Sequence, residues 1–119
     1  MSTFHSTINI YNNSGKTLTL DRGHSSGING DWPGTLSPEP GENHYKFNQG
    51  FNFQIKFTAR YIVQDPTIAP SEYVDIYYYA DGVQTFSQHV TGSPSNVLAD
   101  STIEVSGNYS PTITLAGGS

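Results

Sequence analysis

The sequence FNFQIKFTARYIVQ, residues 51–64, alternates apolar and polar side chains almost without interruption. One face of an extended chain would carry Phe51, Phe53, Ile55, Phe57, Ala59, Tyr61 and Val63. Because successive side chains of a strand point to opposite sides, this period of two predicts a long β-strand with one buried face. At about 3.3 Å per residue the segment would exceed roughly 40 Å if straight, so we expect it to bend or to cross between two sheets.

Shorter alternating segments lie on both sides of this strand. Residues 6–20 place two isoleucines before an Asn-Ser-Gly turn and two leucines after it, which predicts a hairpin. Residues 101–107 and 110–119 predict a closing pair of strands, with Ile103, Val105, Ile113 and Leu115 on their inner faces. No segment has a helical period. A chain of 119 residues is long enough for one hydrophobic core, so we expect a single all-β domain over residues 1–119, an antiparallel β-sandwich.

The composition restricts the partners of the protein. Five basic residues stand against ten acidic ones, and the net charge is −5. Nucleic-acid binding needs a clustered cationic surface, and the five basic residues are scattered, so we expect no nucleic-acid partner. The absence of cysteine excludes disulfides and zinc–thiolate sites.

The N-terminal sequence lacks the basic start and the apolar run of a signal peptide, and no window is long enough to span a membrane. We therefore expect a cytoplasmic protein, or one released by a route without a signal peptide.

Catalytic motifs are missing from the sequence. The four histidines, His5, His24, His44 and His89, are far apart and have no nucleophile or carboxylate at motif spacing. The carboxylates of Asp65, Glu72 and Asp75 flank a loop that lacks the dense oxygen pattern of a calcium site. The sequence therefore predicts a protein that is not an enzyme and that holds no metal or cofactor.

The segment EYVDIYYYADGVQTFSQHV, residues 72–90, contains four of the eight tyrosines. Asp81-Gly82 predicts a two-residue turn, which would place Ala80 opposite Val83 and Tyr77 opposite Phe86. One face would then hold Val74, Ile76, Tyr78 and Ala80 in the core. The other would hold Tyr73, Tyr77, Tyr79 and Phe86 around Asp75.

Tyrosine offers a flat apolar ring, a hydroxyl group and little conformational entropy to lose, which suits a binding surface. We expect Tyr73, Asp75, Tyr77, Tyr79 and Phe86 to contact a ligand. The alternative is that another layer covers this face and that the strand is buried on both sides. Trp32, in a loop rich in glycine and proline, is either a further ligand contact at a membrane surface or a lid over the core.

A resemblance adds to these predictions. The segment TINIYNNSGKTLTL, then GDW and SPEPGEN, is similar to the front half of aegerolysin-like proteins, over about residues 7–60. The order of features also resembles actinoporin-type sandwiches. This resemblance implies a small acidic β-sandwich that recognises membrane lipid headgroups, in the manner of a cytolysin that is one component of a pore-forming pair. Here Trp32 is the single tryptophan, whereas those families have several.

Three functions therefore remain open. The favoured one is recognition of membrane lipid headgroups through the tyrosine-rich surface and loops. The second is carbohydrate binding by a fungal-type lectin. The third is a structural protein that assembles into a homo-oligomer through its aromatic face.

Overall fold

A computed structural model describes residues 4–51, 54–64, 73–81, 86–92, 100–106 and 110–117. Most of these residues lie in β-strands, and the only helical segment among them is a 3-10 turn, Arg22–His24. The strands are β1 (Phe4–Asn13), β2 (Leu18–Leu20), β3 (Thr35–Leu36), β4 (His44–Phe51), β5 (Gln54–Val63), β6 (Tyr73–Asp81), β7 (Phe86–Gly92), β8 (Thr102–Ser106) and β9 (Ser110–Ala116). Within the described ranges, no helix has the length and hydropathy of a membrane span.

The strands form two sheets. The first has the order β4-β1-β9-β8, and the second has the order β3-β2-β5-β6-β7. All described strand pairs are antiparallel except β1 with β9, which run parallel. The prediction of an all-β fold is therefore confirmed, with sheets that are mostly rather than wholly antiparallel. The sandwich arrangement and the single domain stay predictions.

The buried side chains of the two sheets form one hydrophobic cluster. The first sheet contributes residues such as Ile8, Ile10 and Ile113, and the second contributes Phe57 and Ile76, each no more than 1 % exposed. Strand β5 alternates as its sequence predicts, because Ile55, Phe57, Ala59, Tyr61 and Val63 are all buried. Burial of its apolar face therefore fixes the orientation of this strand.

The predicted crossing between sheets is also confirmed. Phe51 ends β4 in the first sheet and Gln54 begins β5 in the second, so the segment 51–64 contributes strand residues to both sheets. Phe53 lies outside the described residues. The closing pair is confirmed as well, since β8 and β9 are antiparallel and Ile103 faces Ile113.

The predicted hairpin over residues 6–20 is wrong. Strand β1 pairs with β4 and β9 in the first sheet, whereas β2 belongs to the second. The buried side chain of Asn12 holds the turn between β1 and β2 in place of backbone hydrogen bonds between these strands. Its Nδ2 donates to the carbonyl groups of Lys16 and Leu36, and its Oδ1 accepts from the Ser14 hydroxyl. These bonds satisfy a polar group inside the protein while the chain passes from one sheet to the other. Alternation shows which side of a strand is buried, but not which strand is its neighbour.

The predicted register between β6 and β7 is wrong by three residues. Ala80 pairs with Phe86, and Tyr77 pairs with His89, so four residues, 82–85, separate the two strands in the sequence. A two-residue turn at Asp81-Gly82 is incompatible with this pairing.

Candidate functional site

The outer positions of β5 and β6 form a surface that we call the tyrosine face. It comprises Lys56, Thr58 and Arg60 on β5, and Tyr73, Asp75, Tyr77 and Tyr79 on β6. The alternate residues of β6, Val74, Ile76, Tyr78 and Ala80, are at most 1 % exposed. The predicted division of this strand is thus confirmed. Tyr78 lies in the core, and its two neighbours are partly exposed on the opposite side.

An ion pair lies at one end of the tyrosine face. Arg60 Nε donates to Asp75 Oδ1 at 2.8 Å, and its Nη2 donates to Asp75 Oδ2 at 3.0 Å. The guanidinium carbon also lies 3.9 Å from the centre of the Tyr73 ring. The hydrogen bonds to Asp75 raise the pKa of Arg60 above its ordinary value. This two-point contact and the stacking hold three side chains in one arrangement, and the two charges neutralise each other.

The other end of the tyrosine face pairs aromatic with polar residues. Lys56 lies opposite Tyr79, and Thr58 lies opposite Tyr77, at directly paired positions of the two strands. The hydroxyl of Tyr79 donates to Gln54 Oε1 at 3.4 Å. Tyr77 and Tyr79 are two residues apart on one strand, which separates their Cα atoms by roughly 7 Å. The result is a row of rings beside a row of hydrogen-bonding side chains.

Trp32 is part of the core, and its predicted role as a ligand contact stays a prediction. Its side chain is only 2 % exposed. The indole Nε1 donates to Gln49 Oε1 at 2.6 Å, and the rings of Phe47 and Phe57 contact it edge-on at 4.8 Å. The alternative of a lid over the core agrees with this placement. The acceptor for the indole, Gln49, lies on β4, 17 residues away, so the sequence around Trp32 does not reveal it.

The backbone of this loop explains how Trp32 reaches the core. Ser26 exchanges two backbone hydrogen bonds with Thr58 of β5. Gly27 then adopts a φ of 72°, and a Cβ atom at this position would collide with the carbonyl oxygen of Lys56. Only glycine fits so close to the neighbouring strand. The chain is thereby held against β5, and Trp32 contacts the buried ring of Phe57 on that strand.

Phe86 belongs to β7, and its backbone pairs with Ala80 rather than with Tyr77. Its side chain is outside the described part of the structure, so its predicted role as a ligand contact stays a prediction. Asp65 and Glu72 also fall outside the described residues.

The outer side of the first sheet carries an aromatic pair that the sequence does not predict. The rings of Tyr11 and His44 are stacked at 4.2 Å with an interplanar angle of 2°. The imidazole Nε2 of His44 is 2.9 Å from Asn9 Oδ1. The pairing of β1 with β4 puts the two rings opposite each other, and that pairing joins positions 33 residues apart. Tyr11 provides a partly exposed tyrosine away from the tyrosine face.

The described histidines remain apart from one another. Among the described residues, no group of three histidine or acidic side chains is placed to hold a metal ion. His24 forms a 2.6 Å contact with Asp21, and this hydrogen bond lowers the pKa of the Asp21 carboxyl. Both groups are at the surface, and the backbone N–H of Asp21 donates to the carbonyl oxygen of Arg60 at 2.8 Å.

Comparison of the chain with family models, with curated proteins and with solved structures found no match. The likeness to aegerolysins and actinoporins therefore stays a prediction.

Proposed function

We propose that this all-β protein is a non-enzymatic binding protein and that the tyrosine face holds its ligand. The observation that carries the proposal is the row of Tyr73, Tyr77 and Tyr79, partly exposed along one strand beside the Arg60–Asp75 pair. Partly exposed rings can contact a ligand without unfolding the core. Because the ion pair already fixes Tyr73, that part of the site loses little entropy on binding.

Carbohydrate is the ligand class that suits this surface best. A sugar ring has an apolar side that stacks on an aromatic ring, and its hydroxyl groups can bond to polar groups at the rim. Thr58 lies opposite Tyr77, and Gln54 lies beside Tyr79, so both polar groups stand next to rings. A surface in the middle of a sheet is also held rigidly, which preserves the spacing of the rings.

Recognition of a membrane lipid headgroup is the second candidate. The exposed ammonium group of Lys56 next to Tyr79 favours it, because a cation beside aromatic rings suits a phosphate at the level of the headgroups. Trp32, the tryptophan anchor that this function was expected to use, is buried and does not support it. Lipid binding would therefore depend on the tyrosine face alone.

The test is a glycan array run beside a panel of liposomes containing sphingomyelin, ceramide phosphate or anionic lipids. The wild-type protein is compared with Tyr77→Ala and Tyr79→Ala. We expect glycan binding, weakened by about 1 kcal/mol or more in each variant, as for aromatic residues at the centre of an interface. Tyr11→Ala is the matched control, since Tyr11 is partly exposed on the other sheet, and it should bind as the wild type does.

Liposome binding lost in the same two variants would favour the lipid candidate instead. Unchanged binding in both variants would place the ligand elsewhere and contradict the proposal. If neither ligand binds and the protein is an oligomer that the two substitutions dissociate, the face is a subunit contact. That outcome would favour the structural function.

A further inference from the structure

The charges on the tyrosine face are not balanced at its two ends. At one end, Asp75 neutralises Arg60 through two hydrogen bonds. At the other end, Lys56 is exposed, and the structure shows it no acidic partner among the described side chains. Lys56 therefore gives its end of the face a local positive charge, on a protein whose net charge is −5.

We infer that the ligand is an acidic sugar, a uronic acid or a sulfated sugar, whose ring lies on Tyr77 and Tyr79 and whose anionic group contacts Lys56. This inference rests on the proposed function and specifies the ligand class. A negatively charged protein repels anions over most of its surface, so an anionic ligand needs a local positive site. Lys56 supplies such a site directly opposite one of the rings.

Neighbouring residues define where the anionic group would lie. Thr58 follows Lys56 on the same side of β5 and adds a hydroxyl donor opposite Tyr77. At the far end, the uncharged amide of Gln54 accepts a hydrogen bond from the Tyr79 hydroxyl. The anionic group is therefore expected between Lys56 and Thr58, and the uncharged hydroxyl groups of the sugar towards Gln54.

Arg60 has a different role in this arrangement. Its charge is matched by Asp75 and its guanidinium is stacked on Tyr73, so it holds that ring in place and does not attract the ligand. Arg60 is a positioning residue. Lys56 is the residue that distinguishes an acidic sugar from a neutral one.

The experiment compares matched acidic and neutral oligosaccharides, such as oligogalacturonate and the corresponding galactose oligomer, and includes sulfated sugars on the same array. The wild type should prefer the acidic member, and added salt should reduce that preference. Lys56→Gln should weaken acidic binding about threefold to fivefold and leave neutral binding within about twofold, as for one exposed ion pair. Lys46→Gln is the control, because Lys46 is also exposed but lies on β4 of the other sheet.

The free energy of urea unfolding of Lys56→Gln should equal that of the wild type. This result would show that any change in binding is local. Equal binding of acidic and neutral sugars, unaffected by Lys56→Gln, would overturn this inference and leave the proposed function intact. Binding to neither sugars nor vesicles would overturn both. Binding to anionic vesicles through Lys56, without binding to free acidic sugars, would replace the sugar by a lipid headgroup and also contradict the inference.

Discussion

Three adjacent tyrosines in β6 have two different environments. Tyr78 is fully buried, and its ring lies 5.7 Å from that of Phe57 in a tilted arrangement. Tyr77 and Tyr79, one position before and after it, are partly exposed on the opposite side. Side chains alternate along a strand, so one residue type serves the core and the outer surface within three positions.

The first prediction compares these residues by substitution. Tyr78→Ala should lower the free energy of unfolding by about 3 kcal/mol, because it removes a large buried ring and leaves a cavity. Tyr77→Ala and Tyr79→Ala should cost about 1 kcal/mol or less, since partly exposed rings lose less contact. Urea unfolding at neutral pH measures all three. Equal costs for the three variants would mean that the strand is buried on both sides and would contradict the proposed site.

The second prediction concerns Tyr61, whose hydroxyl donates to the carbonyl group of Pro33 at 2.8 Å. Burial raises the pKa of Tyr61 well above its ordinary value of 10.0. The folded protein therefore keeps a proton that the unfolded chain loses at alkaline pH. The contribution of Tyr61 to stability should be complete below about pH 10 and should fall as the pH rises further.

Tyr61→Phe provides the comparison for this pH effect. It should lose about 1 kcal/mol at neutral pH, because the carbonyl group of Pro33 loses its donor. Above pH 10 its unfolding free energy should fall less steeply than that of the wild type. Urea unfolding at a series of pH values measures both slopes, and identical slopes would contradict the role assigned to Tyr61.

At the scale of elements, β5 determines how the second sheet is built. Its buried side is fixed by five alternating apolar residues, and its outer side supplies the polar half of the tyrosine face. Strand β6 pairs with it from Gln54↔Asp81 to Ile62↔Tyr73. This register places Arg60 opposite Asp75, and the ion pair follows from it. The connection from β6 to β7, by contrast, is longer than the turn residues in the sequence indicate.

The third prediction tests the register between β6 and β7 by engineered cysteines, in a chain that has none of its own. Tyr79 pairs with Ser87. Directly opposite residues have Cβ atoms about 5 Å apart, close enough for a disulfide after a small adjustment. Tyr79→Cys combined with Ser87→Cys should therefore crosslink on mild oxidation, which non-reducing mass spectrometry of a digest detects.

The matched control combines Tyr79→Cys with Gln84→Cys. A two-residue turn would place these positions opposite each other, and the observed register does not. Crosslinking of the control pair, without crosslinking of the first pair, would contradict the observed register and support the one predicted from the sequence.

At the scale of the whole molecule, pairing between distant parts of the chain holds the first sheet together. Residues 9–13 of β1 pair in parallel with residues 112–116 of β9. Strand β9 therefore lies between the N-terminal strand and β8. Both sheets also contribute to a single hydrophobic cluster. Neither sheet can bury its apolar side without the other, so we expect them to fold as one unit.

The fourth prediction follows from this shared core. Far-UV circular dichroism should show β-structure with negligible helix. Trp32 fluorescence and circular dichroism should report one common unfolding transition. Ile8→Ala in the first sheet and Ile76→Ala in the second should each lower stability by about 2–5 kcal/mol, as for other buried isoleucines, and should shift both signals together. Separate transitions, one for each sheet, would contradict a shared core.

The local features of this protein follow from the order of its residues. Alternation predicted the all-β class, the buried side of β5 and the separation of Tyr78 from Tyr77 and Tyr79, and the length of residues 51–64 predicted the crossing. These features depend on neighbouring positions in one strand, which the order of residues records directly. The tertiary structure alone decided the partner of β1, the register of β7 and the burial of Trp32. Each of these depends on which distant segments meet, and that is settled by the packing of the whole core because several pairings satisfy the same alternation.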